Sequence, residues 1–596
     1  MYILGINAYH GDSSACIYKD GELIAATEEE RIRRVKHWAG LPTEAVQFCL
    51  QEAGIKLEDV EVITVSRDPW AKFYYKILHI LRNHTSFSAI RKRAKHIKGV
   101  RTIKEDVAYA LGYNGTPLRA EVKFIEHHRS HMASAFFVSP FGEAAILSVD
   151  GMGDFTSTMR GYGKNNKISV LDSVTFPHSL GFLYTGFTQF LGFPHYGDEY
   201  KVMGLSPYGT PDPDLVKKVW DVVHLKKDGL FELNLAYFSR VGQGDWVSID
   251  PSGMPVIKPK YSEYMVEKFG PPRQKGEPLT DYHKNLAAAV QKVTEETIFY
   301  MAEDLYKKTG LKNLCVTGGV AQNSVANGKI VANTSFEHLF VPPSGHDGGT
   351  SVGSALFYYH HEMGQPRSPY KNQAYTGIHF SNDEIEAYLA DRNIPFEVRK
   401  IPDEQLFELV TDALVEGAVV GWFQGRAEFG PRALGNRSII VDPRRGDAKD
   451  LLNEKIKRRE SFRPFAPSIL KEYTAEYFEQ VDDVPYMEKV FRIRPEKRKL
   501  IPAVTHVDGT GRLQTVEKID APRYHALISA FNRKTGVPVL LNTSFNENEP
   551  IVNTPEHALE CFLRTNMDML VLENFVISRR PLPVGNHELN VNYQRH

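Results

Sequence analysis

EHHRSHMASAFFVSPFGEAAILSVDGMGD, residues 126–154, sets the pattern for the first half of the chain. The run after the histidines is apolar and contains no glycine or proline before SPFG, which predicts a helix. AAILSVD then predicts a buried strand, GMG a turn, and FTSTMRGY, residues 155–162, the returning strand of a hairpin. The sequence therefore predicts a helix followed by a hairpin, with Asp150 at the carboxyl end of the first strand.

This stretch contains several potential metal ligands. His127 and His131 are four residues apart, so on a helix both imidazoles project from one face and can reach one cation. His128 lies three residues from His131 and could take the place of His127, and spacing does not choose between them. Histidines at this spacing are also common in cores and on surfaces that bind no ion. A carboxylate beside glycine amides, as at Asp150, is suited to holding a metal-bound phosphate.

The same plan occurs near the N-terminus. ILGINA predicts a strand, YHGDSSA a polar loop that displays His10 and Asp12, and Asp20-Gly21 the turn of a hairpin. This repetition predicts a duplicated core whose halves face each other across a nucleotide cleft. Two unrelated hairpins in a β-rich protein are the alternative.

Two more strand-like runs end in glycine turns, NLCVTGGVAQNS and LFVPPSGHDGGTS. In the first, Gly318 and Gly319 let the backbone approach a ligand, and the following helix start offers N–H groups to phosphate. In the second, Asp347 lies at the turn and could be a fourth ligand beside the two histidines and Asp150. Two nitrogens and two carboxylates suit Fe, Mn or Zn better than Ca, which prefers oxygen ligands.

Between these elements, residues 193–209, FPHYGDEYKVMGLSPYG, have neither helical nor strand periodicity. Irregular segments of this kind are often binding loops, which makes Lys201 a candidate to contact nucleotide or substrate. A packed loop with solvated charges is the alternative. Residues 210–280 are interpreted as an insertion of weak pattern, and NLAAAVQKVTEETIFYMAEDLYKKTG predicts an amphipathic helix that ends at Gly310.

Loss of periodicity between residues 366 and 380 predicts a linker between an N-terminal domain, 1–365, and a C-terminal domain, 381–596. The second domain opens with two predicted helices, and AVVGWFQGRAEFGPRALGNRSIIVD then places arginines in a loop between two strands. Arginine binds phosphate and carboxylate bidentately, so cations and small polar residues at strand ends indicate an anion pocket. A surface salt-bridge cluster is the alternative. The candidate residues are Arg432, Lys457, Arg463, His506, Arg512, Asn542 and Ser544.

The composition of the chain excludes some classes of protein function. With 596 residues, 42% hydrophobic and 24% charged, the chain is typical of soluble globular proteins of two to four domains. A net charge of -1 gives no global field for nucleic acid or an anionic membrane, and the basic stretch 91–104 is interpreted as a solvated helix face rather than an RNA site. No run approaches a membrane span. Four distant cysteines and the absence of a signal-peptide pattern predict a cytoplasmic protein.

Motifs along almost the whole chain, in order, resemble the NodU/CmcH O-carbamoyltransferases of the nodulation, cephamycin and tobramycin type. The resemblance implies an N-terminal actin-like ATPase domain, which is a duplicated ribonuclease-H-like fold. It implies a C-terminal α/β domain similar to threonylcarbamoyl-adenylate synthase. The motifs are ILGINAYHGDSSA, EEERIRRVKHWAGLP, HHRSHMASAF, VDGMGD, YKVMGLSPYG, GGVAQNS, GHDGGT, QGRAEFGPRALGNRSI, FRPFAPSI, THVDGTGRLQTV and NTSFNENEPIV.

The resemblance also implies a reaction. Carbamoyl phosphate and ATP would form carbamoyl-adenylate in the C-terminal domain, and the carbamoyl group would pass to a hydroxyl of a natural product or sugar in the N-terminal domain. Carbamoylation of a tRNA-linked or amino-acid substrate, and a non-catalytic ATP-binding module, are alternatives. The implied cofactors are ATP with Mg and one divalent metal, with Fe expected and Mn or Zn as alternatives. Neither nucleic acid nor a membrane is an expected partner, and a homodimer is compatible with the sequence.

Site residues follow from the matched motifs. The resemblance implies His10, with Asp12, as general base, although many relatives place the histidine directly before the aspartate and here Gly11 separates them. It implies that Lys457 and Arg463 act in adenylate formation with the anion-pocket residues above, and it favours His127 over His128. The implied metal ligands are His127, His131, Asp150 and Asp347. The implied nucleotide contacts are Gly151, Lys201, Gly318, Gly319 and Asn323.

Overall fold

The structure is a computed structural model that describes residues 1–82, 100–113, 118–239 and 247–581. The chain forms two compact units, Met1–Gln373 and Ala374–His596. Within the predicted linker, Arg367 donates hydrogen bonds to the carbonyl of Phe136 at 2.9 Å in the first unit. The carbonyl of Ala374 accepts from the N–H of Phe429 at 2.6 Å in the second unit. Arg367 therefore packs on the first unit and Ala374 on the second.

The N-terminal unit is built on two five-stranded sheets, with two short hairpins beside them. Its strands are β1 (Tyr2–Asn7), β2 (Ser14–Lys19), β3 (Glu22–Glu28), β4 (Val62–Val65), β5 (Glu121–Phe124), β6 (Glu143–Gly153), β7 (Thr156–Lys164), β8 (Lys167–Thr175), β9 (Val223–Leu225), β10 (Phe231–Leu233), β11 (Val247–Ile249), β12 (Pro255–Ile257), β13 (Asn313–Thr317) and β14 (His338–Phe340). The sheet orders are β3-β2-β1-β4-β5 and β14-β13-β6-β7-β8.

The two sheets share one plan. In each, three strands joined by hairpins pair antiparallel, and two further strands then add in parallel beside the first. The expected duplication, and with it the ribonuclease-H-like α/β fold class, is confirmed. The α-helices of this unit are Glu29–Arg33, Thr43–Glu52, Phe73–Arg82, Ile103–Ala110, His127–Phe136, Leu180–Phe190, Glu199–Leu205, Pro213–Trp220, Glu263–Phe269, Asp281–Thr309, Ser324–Asn333 and Thr350–Leu356.

The hairpin after Asp150 turns later than predicted. Strand β6 continues to Gly153, and the turn is formed by Asp154 and Phe155, whose φ angles are 48° and 71°. Positive φ at both central residues is the requirement of a type I′ hairpin turn. Pairing between β6 and β7 is irregular from Val149 to Gly153, so Asp150 lies in an interrupted part of the strand and not at its end.

Two close approaches fix the helix His127–Phe136. A Cβ on Gly353 would lie 1.8 Å from the carbonyl oxygen of Ser130, so this helix and the helix Thr350–Leu356 meet backbone to backbone. A Cβ on Gly153 would lie 1.9 Å from Cδ2 of His127. Only glycine fits at such contacts. The start of the histidine helix is therefore held against β6 and against the element that follows Asp347.

Three further sequence predictions for this unit concern the helix that ends at Gly310, the segment 193–209 and the basic stretch 91–104. The long helix Asp281–Thr309 ends at Gly310, which has a φ of 65°, as predicted. The expectation of an irregular segment at 193–209 was wrong in part, because it contains the helix Glu199–Leu205. Seven residues between glycines and prolines are too few to show a helical period. Of the basic stretch 91–104, residues 91–99 lie outside the described part of the chain.

The C-terminal unit has one mixed nine-stranded sheet with helices packed on it. Its order is β15-β23-β22-β16-β17-β21-β18-β20-β19, where the strands are β15 (Glu397–Lys400), β16 (Val420–Phe423), β17 (Arg437–Val441), β18 (Ala466–Leu470), β19 (Lys489–Arg492), β20 (Thr510–Val516), β21 (Val539–Ser544), β22 (Met569–Leu572) and β23 (Phe575–Ser578). The helices are Asn382–Ala390, Asp403–Val415, Ala448–Leu451, Thr474–Tyr477, Pro495–Arg498, Pro522–Thr535 and Pro555–Arg564. Both helices and both strands predicted between residues 381 and 442 are present, and the α/β class is confirmed.

The sequence also predicted buried, unpaired cysteines and no membrane-spanning helix. Cys16, Cys49, Cys315 and Cys561 are all buried and free, as predicted for core thiols. Within the described ranges, every helix is too short or too polar to cross a bilayer.

Candidate metal centre and anion site

Four side chains predicted as ligands meet in the N-terminal unit: His127, His131, Asp150 and Asp347. The Nε2 atoms of the two histidines are 3.1 Å apart. His127 Nε2 lies 3.4 Å from Asp150 Oδ2, and His131 Nε2 lies 3.3 Å from Asp347 Oδ1. Both histidines are fully buried, and the ligand atoms of the four residues lie within 4.8 Å of one another. The residues come from three segments: the histidine helix, β6 and the turn that begins at Asp347.

These distances suit one transition-metal ion. Nitrogen and oxygen ligands about 2.1 Å from an ion lie roughly 3.0–3.4 Å from each other in tetrahedral or octahedral arrangements. Within the described residues, Asp347 Oδ1 is buried and accepts no hydrogen bond, which leaves it available to a cation. Two imidazoles with two carboxylates fit Fe, Mn or Zn rather than Ca. The residues present therefore fit the metal that the sequence led us to expect.

The carboxylates of this cluster are anionic. Burial alone would raise the pKa of Asp347, but the hydrogen bond with His10 and the nearby imidazoles of His127 and His131 outweigh burial and hold the pKa well below its usual value. Burial and the charge of Asp347 act to raise the pKa of Asp150, yet the histidines bring it to about 2. The other oxygen of Asp150, Oδ1, accepts from the N–H of Gly319 at 2.8 Å. Asp150 thus joins the ligand cluster to the glycine turn after β13.

His128 faces away from the cluster. Its Nδ1 lies 2.8 Å from the hydroxyl of Ser148, and its Nε2 lies 3.0 Å from the carbonyl oxygen of Thr156. The carbonyl can only accept, so Nε2 carries the proton and Nδ1 accepts from the hydroxyl. Burial, with the nearby charges of His127 and His131, lowers the pKa of His128 to about 3. The structure therefore places His127, and not His128, beside His131.

His10 is oriented by a ligand residue and not by Asp12. Its Nδ1 lies 2.9 Å from Asp347 Oδ2, while its Nε2 is buried. Asp12, which has a φ of 60°, instead lies 2.7 Å from Nδ1 of His37. Burial would lower the pKa of His37, but the charge of Asp12 and its hydrogen bond raise it to about 9. The sequence suggested Asp12 as the companion of His10, and it missed His37.

The sequence analysis did not identify two more residues of this region, Asp154 and Arg67. Oδ2 of Asp154 accepts from the N–H of His127 at 3.0 Å and from the N–H of Asp68 at 2.8 Å. Burial lowers the pKa of Arg67, although the charges of Asp154 and Asp347 act to raise it. Burial and the charge of Arg67 together lower the pKa of His10. Nothing in the spacing of Arg67, far from the histidine motif, signals this position. The guanidinium of Arg67 thus adds positive charge near His10.

The residues expected to contact nucleotide are placed around the same glycine turns. Gly318 has a φ of 93°, and a Cβ there would lie 2.2 Å from the carbonyl oxygen of Val149, so the turn lies directly against β6. Asn323 caps the helix Ser324–Asn333 by accepting from the N–H of Ala326 at 3.0 Å.

Lys201 and Gly151, which were also expected to contact nucleotide, have partners inside the protein. Nζ of Lys201 lies 2.9 Å from Asp198 Oδ1. The carbonyl of Gly151 accepts from the hydroxyl of Ser179 at 2.7 Å. Gly151 and the glycine pair after β13 therefore flank Asp150, whereas Lys201 forms an ion pair on the helix Glu199–Leu205.

In the C-terminal unit, Lys457 is buried among oxygens. Its Nζ donates to the carbonyl of Asn546 at 2.8 Å and to Oδ1 of the same residue at 2.7 Å. It also contacts the carbonyl and, at 3.3 Å, the hydroxyl of Ser544. Lys457 and Ser544, predicted from separate motifs, are therefore brought together at the end of β21. The ammonium holds the chain in place where it leaves the sheet.

Three other guanidinium groups lie near that of Arg512. Burial, followed by the positive charges of Arg432, Arg459 and Arg463, lowers the pKa of Arg512 well below its usual value. Arg463 also lies 3.6 Å from Glu460. Arg432, Arg463 and Arg512 were predicted, whereas Arg459 was not. Like charges gathered in a partly buried place are unfavourable unless an anion binds among them.

His506 lies beside this arginine group. Burial and the charge of Arg512 lower its pKa to about 4, so the imidazole is neutral at neutral pH. Its Nδ1 lies 3.1 Å from the hydroxyl of Thr510.

Asn542 supports the loop that carries Arg432. It is fully buried on β21, and its amide nitrogen lies 3.2 Å from the carbonyl of Ala433 and 3.0 Å from Gln514 Oε1. On the other side of the loop, one carboxylate oxygen of Glu428 accepts from the N–H groups of Leu434 and Asn436, at 2.7 and 2.9 Å. Asn542 therefore holds the loop, with its amide donors already used inside the protein.

Two family models match the chain. The model of the carbamoyltransferase N-terminus covers residues 2–356, and the model of the carbamoyltransferase C-terminus covers residues 411–579. The first contains all four residues of the metal cluster, and the second contains all four arginines.

Similar proteins span most of the same length. An uncharacterized protein of Synechocystis sp. is 42% identical over 98% of this chain and 97% of its own. Nodulation protein NolNO of Sinorhizobium fredii is 38% identical over 96% of this chain and 80% of its own. The 3'-hydroxymethylcephem-O-carbamoyltransferase of Amycolatopsis lactamdurans is 30% identical over 76% of this chain and 80% of its own.

Proposed function

Because the chain belongs to the carbamoyltransferase family, we propose that it is an ATP-dependent O-carbamoyltransferase. The C-terminal unit forms carbamoyl-adenylate from carbamoyl phosphate and ATP, and the N-terminal unit transfers the carbamoyl group to a hydroxyl of a small molecule. The name of one relative, 3'-hydroxymethylcephem-O-carbamoyltransferase, supports a natural-product hydroxyl as the class of acceptor.

The observation that carries the proposal is the arginine group around Arg512. The charges that lower its pKa are those of Arg432, Arg459 and Arg463. A gathering of partly buried guanidinium groups is suited to ligands that bring several negative charges, because guanidinium pairs bidentately with phosphate oxygens. Carbamoyl phosphate and the triphosphate of ATP have this property.

In the C-terminal unit, hydrolysis of carbamoyl phosphate releases phosphate and leaves carbamate. A carbamate oxygen then attacks the α-phosphorus of ATP, the bond to the β-phosphate breaks, and pyrophosphate leaves. The arginines neutralise the charge of the phosphates and hold the small planar carbamate in line with the α-phosphate. Lys457 keeps Ser544 and Asn546 in one arrangement through its buried hydrogen bonds.

In the N-terminal unit, His10 removes the proton from the acceptor hydroxyl. Asp347 engages Nδ1 at 2.9 Å, which fixes the ring and directs Nε2 to the substrate. The hydroxyl oxygen attacks the carbamoyl carbon, and the bond to the adenylate oxygen breaks, so that AMP leaves. His127, His131, Asp150 and Asp347 would hold a divalent metal, which supplies positive charge for the phosphate of the leaving group.

A pair of variants tests this division of labour. Arg463→Ala should lower carbamoyl-phosphate-dependent exchange of pyrophosphate into ATP by about 10²-fold or more, because a phosphate contact is lost. His10→Asn should leave that exchange unchanged and reduce carbamoyl transfer, measured by mass spectrometry of candidate hydroxyl acceptors, by about 10²-fold or more. If both variants block the same half-reaction, the assignment of one half-reaction to each unit is wrong.

A further inference from the structure

We infer that the exposed face of the helix Phe73–Arg82, with Trp70 just before it, docks on the surface of a membrane that contains anionic lipid. The net charge of -1 for the whole chain gave no reason to expect a membrane partner. The segment around this helix differs from the rest of the chain in both charge and exposed surface. The surface takes no part in either half-reaction of the proposed function, so the inference stands apart from that function.

Large apolar side chains on this segment are exposed to solvent. Trp70 is 61% exposed and Tyr74 is 84% exposed. The exposed apolar residues are Trp70, Phe73, Tyr74, Tyr75, Ile77 and Leu78. Four of these six have the spacing i, i+1, i+4 and i+5, which places them on one face of a helix. Soluble monomers rarely expose a contiguous apolar patch unless it binds a partner.

The opposite face of the helix is held on the N-terminal unit by His79. This residue is buried, and its ring centroid lies 4.8 Å from that of Phe176 and 5.6 Å from that of Phe155. Just before the helix, the N–H of Asp68 donates to Oδ2 of Asp154 at 2.8 Å. The apolar face is therefore kept outward, because turning it inward would break these contacts.

The lysines and arginines around this helix are not balanced by any acidic residue. From Pro69 to Lys104 the sequence has ten lysines and arginines and no aspartate or glutamate. Residues 83–99 lie outside the described part of the chain, so only their composition is used. Exposed aromatic and aliphatic side chains flanked by positive charge are typical of helices that lie along the surface of an anionic membrane.

Two other occupants match this surface less well. A second copy of the chain would bring two basic segments together, which repulsion between like charges opposes. The helix has ten residues and is about 15 Å long, too short to bury the roughly 800 Å² per partner of a stable dimer. Nucleic acid would match the charge, but Ile77 and Leu78 have no ring on which a base could stack. Lipid accepts the apolar side chains among its acyl chains and the lysines among its headgroups.

The deciding experiment is co-sedimentation of the full-length protein with large unilamellar vesicles. One set contains phosphatidylcholine alone, and the other contains equal parts of phosphatidylcholine and phosphatidylserine. The wild type should bind the mixed vesicles at least about tenfold more tightly than the neutral ones, since positive charges near the surface each add to the affinity. That difference should shrink as salt is added, because salt screens these charges.

A double variant tests the apolar face. Tyr74→Ser with Leu78→Ser keeps every charge, and affinity for the mixed vesicles should fall at least about tenfold, since two side chains no longer enter the lipid. Leu171→Ser with Ile519→Ser is the matched control. These two residues are 43% and 86% exposed, against 43% for Leu78 and 84% for Tyr74, and this variant should bind as the wild type does. Tyr74→Ala alone serves if the double variant does not fold.

Absence of binding to both kinds of vesicle would overturn the inference, as would equal affinity of the wild type and the double variant for the mixed vesicles. Two further results would show another occupant. One is a dimer, seen by light scattering without vesicles, that the double variant abolishes. The other is a single-stranded RNA that binds through the same two side chains more tightly than the vesicles do. Pyrophosphate exchange should be unchanged in the double variant, so a failure of the proposed function is recognised separately.

Discussion

Arg512→Gln is expected to make the protein more stable and to abolish adenylate formation. Arg512 is a partly buried cation whose pKa is lowered by burial and by the charges of three other arginines, so its removal relieves repulsion and desolvation in the ligand-free protein. The free energy of unfolding should rise by about 0.5–2 kcal/mol, the usual gain when a site that is strained for function is relaxed. Pyrophosphate exchange should fall by about 10²–10³-fold because a charged donor to the phosphates is lost.

Thermal denaturation and the exchange assay measure these two effects. Arg492→Gln is the matched control, since Arg492 lies on the neighbouring strand β19 and is exposed. That variant should change neither quantity. A destabilised Arg512→Gln protein would show that Arg512 has a structural role, and unchanged exchange would remove it from the anion site.

Asp347→Asn is expected to lose the bound metal and carbamoyl transfer together. Asp347 lies beside His131 at 3.3 Å and beside His10 at 2.9 Å, so one carboxylate serves both the ion and the base. Asparagine keeps the size but not the charge. Metal affinity should fall by more than the roughly 10–100-fold that follows loss of an outer partner, and exchange in the C-terminal unit should continue.

Metal content per chain, measured by mass spectrometry after dialysis, tests this prediction. His128→Gln is the control, because glutamine supplies both a donor and an acceptor for Thr156 and Ser148 while His128 lies outside the cluster. It should retain the ion. Full retention of metal by Asp347→Asn would show that this aspartate is not a ligand.

Much of the N-terminal fold could be predicted because its signals are local. The helix that carries His127 is an apolar run without glycine, and the repeated plan of strand, acidic loop and returning strand is visible in the sequence. The four candidate metal ligands could be predicted because each lies in or beside an element that the sequence signals. The hairpin turn was misplaced because a positive φ at Phe155 is unusual for a bulky side chain and has no signal in the residue type.

The partners of these residues could not be predicted. His10 pairs with Asp347, 337 positions away, and the backbone that brings them together is set by the packing of whole elements. Spacing suggested Asp12, which is closer in sequence but faces His37. Residue type identifies candidates, and the tertiary structure assigns their contacts.

The central claim is that carbamoyl phosphate and ATP form an adenylate on this chain. Exchange of labelled pyrophosphate into ATP by the wild-type protein, with and without carbamoyl phosphate and without any acceptor, tests it most directly. The account predicts exchange only when carbamoyl phosphate is present. Exchange of equal rate in its absence, or no exchange in its presence, would contradict the carbamoyl-adenylate route.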